Sequence, residues 1–279
     1  MSLALLIAKQ ESLRKISASF PEVQADFAMP ASPITHRDPA IWGENAWITY
    51  ADYALEGAEQ IPAFFESVIS QRSPETTDFY IEVLASDTDS VDAWKNLGFE
   101  IQHVSAILTE FLPVAPSNSV LIRKPTENDL YSIAALEREL SLFQMRAPIY
   151  SKVQPESIEE IVEAWRSDIH DDAYKAYVAE VDGVVVGFSF GCSTEKSKLH
   201  SGLLRPINSA TFAFCTIDES FRGQGIGKAL ASTVIEDLLN SGYENIVTDW
   251  RATNPLSSRT WPQLGFIPTF YRMHLGKSS

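Results

Sequence analysis

The residues best suited to binding a charged ligand lie in one short stretch, residues 222–228, which reads Arg-Gly-Gln-Gly-Ile-Gly-Lys. The segment before it, residues 210–217, is apolar and β-prone and predicts a buried strand. After it, apolar residues recur every four positions and predict a helix with a wide apolar face, as at Ile226, Leu230, Val234 and Leu238. Glycines between a strand and a helix N-terminus bring several backbone N–H groups and the positive end of the helix dipole to one point. This arrangement predicts an anion site, most naturally for a phosphate or a pyrophosphate.

Two common phosphate-binding patterns do not fit this stretch. The pattern G-x-x-x-x-G-K-[ST] needs a glycine where Arg222 stands and a hydroxyl where Ala229 stands. The dinucleotide pattern G-x-G-x-x-G needs its third glycine at Lys228. The pattern [RQ]-x-x-G-x-[GA] does fit, through Arg222, Gly223, Gln224, Gly225, Ile226 and Gly227. In this respect the chain resembles the GNAT superfamily of N-acetyltransferases, whose pyrophosphate loop binds acetyl-coenzyme A.

The resemblance implies an enzyme that moves the acetyl group of its co-substrate, acetyl-CoA, to a primary amine of an acceptor that the sequence does not identify. The family holds the thioester oxygen with a backbone N–H at the end of the strand before the loop, and the matching residue here is Ile217. The coenzyme-binding residues that the resemblance implies are Thr216, Ile217, Asp218, Arg222, Gly223, Gln224, Gly225, Ile226, Gly227, Lys228, Asn254 and Ser257. The alternative is an acyl-CoA-binding or regulatory module without transfer activity, because two usual catalytic positions are altered.

Acetyl transfer needs a base for the amine, and the resemblance offers two positions for it. The histone-type branch of the family has a glutamate four residues before the cysteine that matches Cys215, but Thr211 stands there and cannot serve. The ribosomal-protein alanine acetyltransferases have a glutamate five residues before an asparagine, and Asp249 stands in that place before Asn254. Asp249 is therefore the candidate base, and the alternative is a strand-end carboxylate paired with Arg251.

The leaving thiolate needs an acid, and the family usually has a tyrosine seven residues after that asparagine. Trp261 stands there instead, and an indole N–H is a hydrogen-bond donor but not a usable acid. The proton then comes from water or from Tyr271 in the final strand. Asn254 resembles the asparagine that bonds the pantetheine amide, and Ser257 lies one helical turn further on, although both also fit a helix cap before a proline.

A rival pattern, G-x-S-x-G, occurs as Gly187, Phe188, Ser189, Phe190 and Gly191. This pattern marks the nucleophile of serine hydrolases, and Asp218 and His274 follow it in the order that the hydrolase fold uses. The nucleophile needs a sharp strand-to-helix turn directly after the serine. Residues 184–190 alternate as a strand and residues 192–199 show no helical period, so the hydrolase is only a remote alternative.

A short motif occurs twice in the chain. Residues 94–99 and 261–266 both read W-x-x-L-G-F, and each follows an apolar strand-like segment and precedes a β-rich run. A repeat at this spacing suggests a duplicated domain. In the first copy, residues 46–53 and 58–69 correspond to the strand and the helix around the glycine loop. The loop between them has one glycine and an acidic residue, and it is too short to wrap a pyrophosphate.

The predicted fold class is α/β (α+β), with two GNAT-like domains, each a mixed, mostly antiparallel central sheet flanked by helices. Residues 1–117 are expected to form a degenerate domain without a pyrophosphate loop, and residues 118–279 the acetyltransferase domain. The proline-rich stretch 113–118 joins them. In the second domain the patterns predict the order β-α-α-β-β-β-α-β-α-β, with a hairpin turn at residues 182–183.

Composition bounds the class of protein. The 279 residues are 45% hydrophobic, which is typical of a globular chain. The net charge of −15 argues against nucleic-acid and membrane partners and mildly favours a cationic acceptor. Two cysteines and five scattered histidines predict neither a disulfide framework nor a metal site. With no signal-peptide pattern and no long apolar run, a cytoplasmic location is expected, while the oligomeric state stays open.

Overall fold

The structure is a computed structural model that describes residues 46–49, 57–71, 74, 76–149, 151, 153–197 and 206–276. The strands are β1 (Ala46–Thr49), β2 (Asp78–Leu84), β3 (Glu100–Leu108), β4 (Leu121–Arg123), β5 (Lys175–Val181), β6 (Val184–Ser193), β7 (Ser209–Ile217), β8 (Asn245–Arg251) and β9 (Phe266–Gly276). The helices are α1 (Ile61–Gln71), α2 (Thr88–Asn96), α3 (Leu130–Met145), α4 (Ile158–Asp168), α5 (Ile226–Asn240) and α6 (Pro255–Gln263). Short 3-10 turns, Ala58–Gln60, Glu127–Asp129 and Glu219–Phe221, precede α1, α3 and the glycine loop.

The strands of the described residues lie in one sheet, in the order β1-β2-β9-β3-β8-β7-β6-β5-β4. Neighbouring strands are antiparallel except for β1–β2 and β7–β8, which are parallel. The expected mixed, mostly antiparallel sheet with flanking helices is therefore confirmed. The expectation of one sheet per domain differs from the structure, because β3 lies between β8 and β9, while β9 lies between β2 and β3. β3, the last strand of the first half, pairs with β8 and β9 of the second half. β9, the last strand of the second half, pairs with β2 of the first half.

Local signals predicted the elements of the second half well, since each rests on contacts between near neighbours. The β5–β6 hairpin turns at Asp182 and Gly183, whose φ angles of 49° and 80° are the positive values that a tight two-residue turn requires. The carboxylate of Asp129 accepts the N–H of Thr126 at 2.7 Å, at the start of the segment that leads into α3. Of the strand expected over residues 46–53 only β1 is described, and residues 54–56 of the first-half loop lie outside the described residues.

The two halves repeat one another at a constant spacing over the described elements. Adding 167 to the residue numbers of β2 gives those of β8, and the same shift carries α2 onto α6. The same shift relates the strand registers. Adding 167 to His103 gives Phe270, and subtracting 167 from Arg251 gives Leu84, so the His103–Arg251 pair of β3 and β8 corresponds to the Phe270–Leu84 pair of β9 and β2. The order and pairing of the strands therefore have an approximate twofold symmetry whose axis lies between β3 and β9.

The repeated W-x-x-L-G-F motif forms a helix end and a strand start. Trp94 is buried at the end of α2, with its ring 4.9 Å from that of Phe99. Trp261 is buried at the same point of α6, with its ring 5.1 Å from that of Phe212. The glycine of each motif follows the helix at positive φ and turns the chain into the next strand.

The two faces of the sheet differ in chemistry. On one face, Phe79, Ile81 and Val83 of β2 share an apolar cluster with α1 and α2, and the inward residues of β7 and β8 share one with α5 and α6. On the other face, α3 and α4 cover β5 and β6. That second face carries polar side chains on β2, β3, β8 and β9, because strand alternation turns Tyr80 and Glu82 away from the apolar cluster.

The repeat provides a matched pair of glycine substitutions. Gly98 and Gly265 have φ angles of 93° and 99°, so alanine is strained at both by roughly 1–2 kcal/mol. A Cβ at Gly98 would meet only the side chain of Leu275 at 3.4 Å, whereas one at Gly265 would overlap the backbone oxygen of Glu110. We expect Gly265→Ala to lower the free energy of unfolding by clearly more than Gly98→Ala in urea denaturation. Equal losses would show that the Glu110 backbone moves aside at little cost.

Candidate active site

The glycine loop between β7 and α5 is open and presents backbone N–H groups. Gly223 and Gly225 have φ angles of 79° and 82°, and a Cβ added to either would meet no atom within 4 Å. The first helical bonds are those from the N–H groups of Lys228 and Ala229 to the oxygen of Gly225. The N–H groups of residues 223–227 therefore have no partner among the described residues, and they surround the positive end of the α5 dipole. This geometry can bind an anion.

The charged residues beside the loop support its shape. The Nε of Arg222 donates to the backbone oxygen of Ile217 at 3.1 Å, and its guanidinium lies over the ring of Phe143, 5.1 Å from the centroid. The carboxylate of Asp218 accepts the backbone N–H of Ser220 at 2.9 Å. Hydrogen bonds from Ser220 lower the pKa of Asp218 below its usual value, so this carboxylate is ionised at neutral pH.

A cleft opens where β7 and β8 separate. Their parallel pairing covers only Ser209–Thr211 and Asn245–Val247, and β7 has an irregularity after Phe212, seen in its pairing with β6. The N–H of Asp218 donates to Val186 of β6 at 2.9 Å. Because bonding alternates along an antiparallel strand, the N–H of Ile217 points away from β6, towards the cleft.

Asp249 lies beyond the last paired residues of β7 and β8, and its partner is a histidine. The Nδ1 of His103 and the Oδ2 of Asp249 are 3.0 Å apart. The side chain of His103 is 16% exposed and that of Asp249 is 15% exposed. Arg251, the partner suggested by the sequence, lies on the same strand and donates from a terminal guanidinium nitrogen to the Oγ of Ser151 at 3.4 Å. The sequence analysis did not identify His103 because it lies far from Asp249 along the chain. The W-x-x-L-G-F motif before it predicts that a strand follows, but not that this strand pairs with β8.

His103 is a neutral imidazole at neutral pH. Burial lowers its pKa most, the positive charge of Arg272 lowers it further, and Asp249 opposes both, with a resulting pKa of about 4. Since an ionised carboxylate can only accept, the 3.0 Å bond requires the single ring proton on Nδ1. The pair therefore consists of a neutral donor and a carboxylate.

Further polar groups lie on the same sheet face, next to this pair. The Nε of Arg272 donates to the Oε1 of Gln102 at 3.0 Å, and burial lowers the pKa of Arg272 to about 10, still well above neutral pH. The Nε2 of His274 and the Oδ1 of Asp78 are 2.7 Å apart, and the His274 ring stacks on Tyr80 at 4.5 Å. These contacts form a partly buried polar layer from β2 to β8.

The structure does not bring all the predicted site residues together. Tyr271 packs against the apolar clusters of the helix-covered face, so strand alternation places it on the opposite face of the sheet from Asp249. Trp261 is a buried packing residue, in agreement with its counterpart Trp94. Asn254 caps α6: its Oδ1 accepts from the N–H of Leu256 at 3.1 Å, and its amide donates to the Oγ of Ser257 at 3.0 Å.

The rival nucleophiles are in the wrong environment. Ser189 is fully buried within β6, and its hydroxyl donates to the oxygen of Phe214 at 2.8 Å, so no strand-to-helix turn exposes it. His274 bonds to Asp78, and Asp218 bonds to Ser220, so these residues form no triad with Ser189. Burial raises the pKa of Cys215 to about 12, which keeps it a thiol. The hydrolase alternative is therefore not supported.

The described residues contain no group of three or more His, Cys, Asp or Glu side chains placed to bind a metal ion. None of their helices is both long enough and apolar enough to span a membrane.

Part of the chain matches a known protein family. Residues 139–266 match the family model described as Acetyltransferase (GNAT) family, so this segment is a GNAT acetyltransferase domain. The match includes the glycine loop, Asp249 and Asn254. A search of the curated proteins found no match.

Several solved structures are similar to this one. A GCN5-related N-acetyltransferase from Kribbella flavida is 14% identical with a TM-score of 0.51, over 96% of each chain. One from Sphaerobacter thermophilus is 16% identical with a TM-score of 0.48, over 78% of this chain and 66% of that chain. A phosphinothricin acetyltransferase from Sinorhizobium meliloti, solved in complex with AcCoA, is 20% identical with a TM-score of 0.44, over 57% of this chain and 89% of that chain. The Kribbella match extends over nearly the whole chain.

Proposed function

We propose that this protein transfers the acetyl group of acetyl-CoA to a primary amine. The observation that carries the proposal is the loop of residues 223–227, where open glycines and N–H groups without described partners lie at the N-terminus of α5. A pyrophosphate fits such a site because it supplies several negative oxygens to the N–H groups. The acetyltransferase domain at residues 139–266, which contains this loop, supports the same assignment.

In this proposal the pyrophosphate lies on residues Gly223, Gln224, Gly225, Ile226 and Gly227, flanked by the positive charges of Arg222 and Lys228. The pantetheine arm enters the cleft between β7 and β8, past Thr216 and Asp218. The N–H of Ile217, which points towards the cleft, bonds the thioester oxygen and stabilises the negative charge that develops there. Asn254 and Ser257, at the start of α6, lie next to the far wall of the cleft.

Asp249 is proposed as the base at the end of the cleft. The acceptor ammonium loses a proton to the Asp249 carboxylate, directly or through a water, and the freed nitrogen attacks the thioester carbon. The C–S bond then breaks and its electron pair leaves with the CoA sulfur. The nitrogen gives up its second proton, and the thiolate takes one up through water, since Tyr271 lies on the other face of the sheet. An ammonium and acetyl-CoA thus yield an amide, the CoA thiol and one proton.

The chain is further proposed to consist of a degenerate domain at residues 1–117 and a catalytic domain at residues 118–279. The constant shift of 167 residues between β2 and β8 and between α2 and α6 supports a duplication. Only the second half has the glycine loop, so only that half is expected to bind the coenzyme. The first half instead supplies β3, which borders β8.

A charge in the loop should prevent coenzyme binding. We expect Gly225→Asp to reduce acetyl-CoA binding below detection by calorimetry, because the new carboxylate occupies the anion site and repels the pyrophosphate. The matched control is Gly242→Asp at the other end of α5, which also has positive φ, at 91°, and open space around a Cβ. Retained affinity in Gly225→Asp would remove the pyrophosphate assignment.

The wild-type titration also tests the division between the halves. We expect one acetyl-CoA per chain, because the first-half loop in the sequence has a single glycine and Glu56. The stoichiometry is to be measured by calorimetry and by native mass spectrometry. Two coenzymes per chain would contradict the degenerate role of residues 1–117.

Removal of the candidate base should lower turnover without weakening coenzyme binding. We expect Asp249→Asn to lower kcat by ~10²–10⁴-fold with the best acceptor found in a panel of primary amines, the usual range for a lost general base. Asp78→Asn is the control, since Asp78 also pairs with a histidine on this sheet face but lies on β2. A wild-type rate for Asp249→Asn from roughly pH 6 to 9 would make Asp249 structural.

A further inference from the structure

The candidate base is held by a residue from the other half of the chain. His103 lies on β3, and Asp249 lies on β8, where β3 pairs with Val247–Arg251. We propose that His103 is a positioning residue of the acetyltransferase site, whose Nδ1–H keeps the Asp249 carboxylate turned towards the mouth of the β7–β8 cleft. This inference rests on the proposed function and assigns the first half a direct part in it.

The geometry shows a diagonal pair across two antiparallel strands. The Cα partner of His103 is Arg251, and the Cα partner of Asp249 is Ser105, so all of these side chains project from one face. The 3.0 Å bond therefore runs across the ladder and joins the two strands side chain to side chain. At Asp249, β8 no longer pairs with β7, so the strand that still pairs with it there is β3.

The charge of the partner matters because two arginines, Arg251 and Arg272, act electrostatically on this carboxylate. Arg251 lies two residues further along β8, and Arg272 lies on β9, where its charge acts on both His103 and Asp249. On β2, Glu82 and Tyr80 lie on the same face and interact with Arg272. A carboxylate that turned to an arginine would be held in an ion pair and would become a poorer proton acceptor.

A neutral histidine orients the carboxylate without adding a positive charge. The burial of His103 and the charge of Arg272 keep its ring neutral at neutral pH, so it offers one N–H and no net charge. Asp249 can then receive a proton from the acceptor ammonium.

Two substitutions separate positioning from packing. Asparagine in His103→Asn can keep an N–H donor near the place of Nδ1, whereas His103→Phe keeps the ring volume and removes the donor. With acetyl-CoA and the best amine of the panel, we expect His103→Phe to lower kcat by roughly 10–100-fold, as for other partners that orient a functional group. We expect His103→Asn to restore most of that loss, and both variants to bind acetyl-CoA as the wild type does.

The pH dependence adds a readout that packing alone would not move. Loss of the donor disfavours the ionised carboxylate, so the acid limb of the kcat profile should move to higher pH in His103→Phe and return in His103→Asn. The control is His274→Phe, which removes the histidine of the other His–Asp pair on this face, between β9 and β2, and should change neither kcat nor the profile.

Nuclear magnetic resonance of the ¹⁵N-histidine-labelled protein tests the bond without turnover. We expect His103 to carry its proton on Nδ1 and to titrate near pH 4. Because Asp249 raises this pKa, Asp249→Asn should move the titration to still lower pH. A proton on Nε2, or a titration unchanged in Asp249→Asn, would overturn the inference.

The outcomes distinguish this inference from the function on which it rests. If the wild type binds no acetyl-CoA, the proposed function fails and the role of His103 fails with it. If the wild type binds and transfers, but His103→Phe keeps its kcat and pH profile, only the role of His103 is overturned. If both His103 variants lose kcat equally, the donor is not what matters and positioning through Nδ1 is also overturned.

Discussion

The backbone ladder between β3 and its two neighbours is the constraint on which the rest of the structure depends. β3 bonds to β8 on one side and to β9 on the other, and β9 in turn bonds to β2. Without this interleaving, β8 and β2 would each expose a row of N–H and C=O groups at a sheet edge, at a cost in lost hydrogen bonds. The two halves therefore share one sheet, although each carries its own copy of the W-x-x-L-G-F motif. Removal of either half would open the ladder next to the cleft.

The interleaving also decides the chemistry of the two sheet faces. One face packs the buried apolar side chains of α1, α2, α5 and α6. The other face, over the shared strands, holds a partly buried polar layer in which Arg272 bonds to Gln102, His274 to Asp78, and His103 to Asp249. Polar groups that are largely withdrawn from water are stable when they are hydrogen-bonded to one another, as these are.

The two ends of the candidate site are built in different ways. The anion end is made of main chain: glycines at positive φ, a helix N-terminus, and an arginine that bonds to the Ile217 oxygen. The end proposed for the acceptor amine consists of side chains from three strands, among them Asp249, His103 and Arg272. Trp261 belongs to neither end, because it is buried against Phe212 at a position that its counterpart Trp94 also uses for packing.

Local signals in the sequence are enough to predict several parts of this protein. The glycine loop, the hairpin turn at residues 182–183, the α6 cap at Asn254 and the repeated W-x-x-L-G-F segments all depend on interactions within a few residues, so their types and spacing predict them. Tertiary structure alone decided which strand borders which. The alternation of a strand predicts which of its residues face the core, but not which strands pair with it. Every residue offers the same backbone N–H and C=O groups, so these groups do not select a partner. The single sheet, the pairing of Asp249 with His103 and the separation of Tyr271 from Asp249 all follow from that long-range choice, which no local signal in the chain contains.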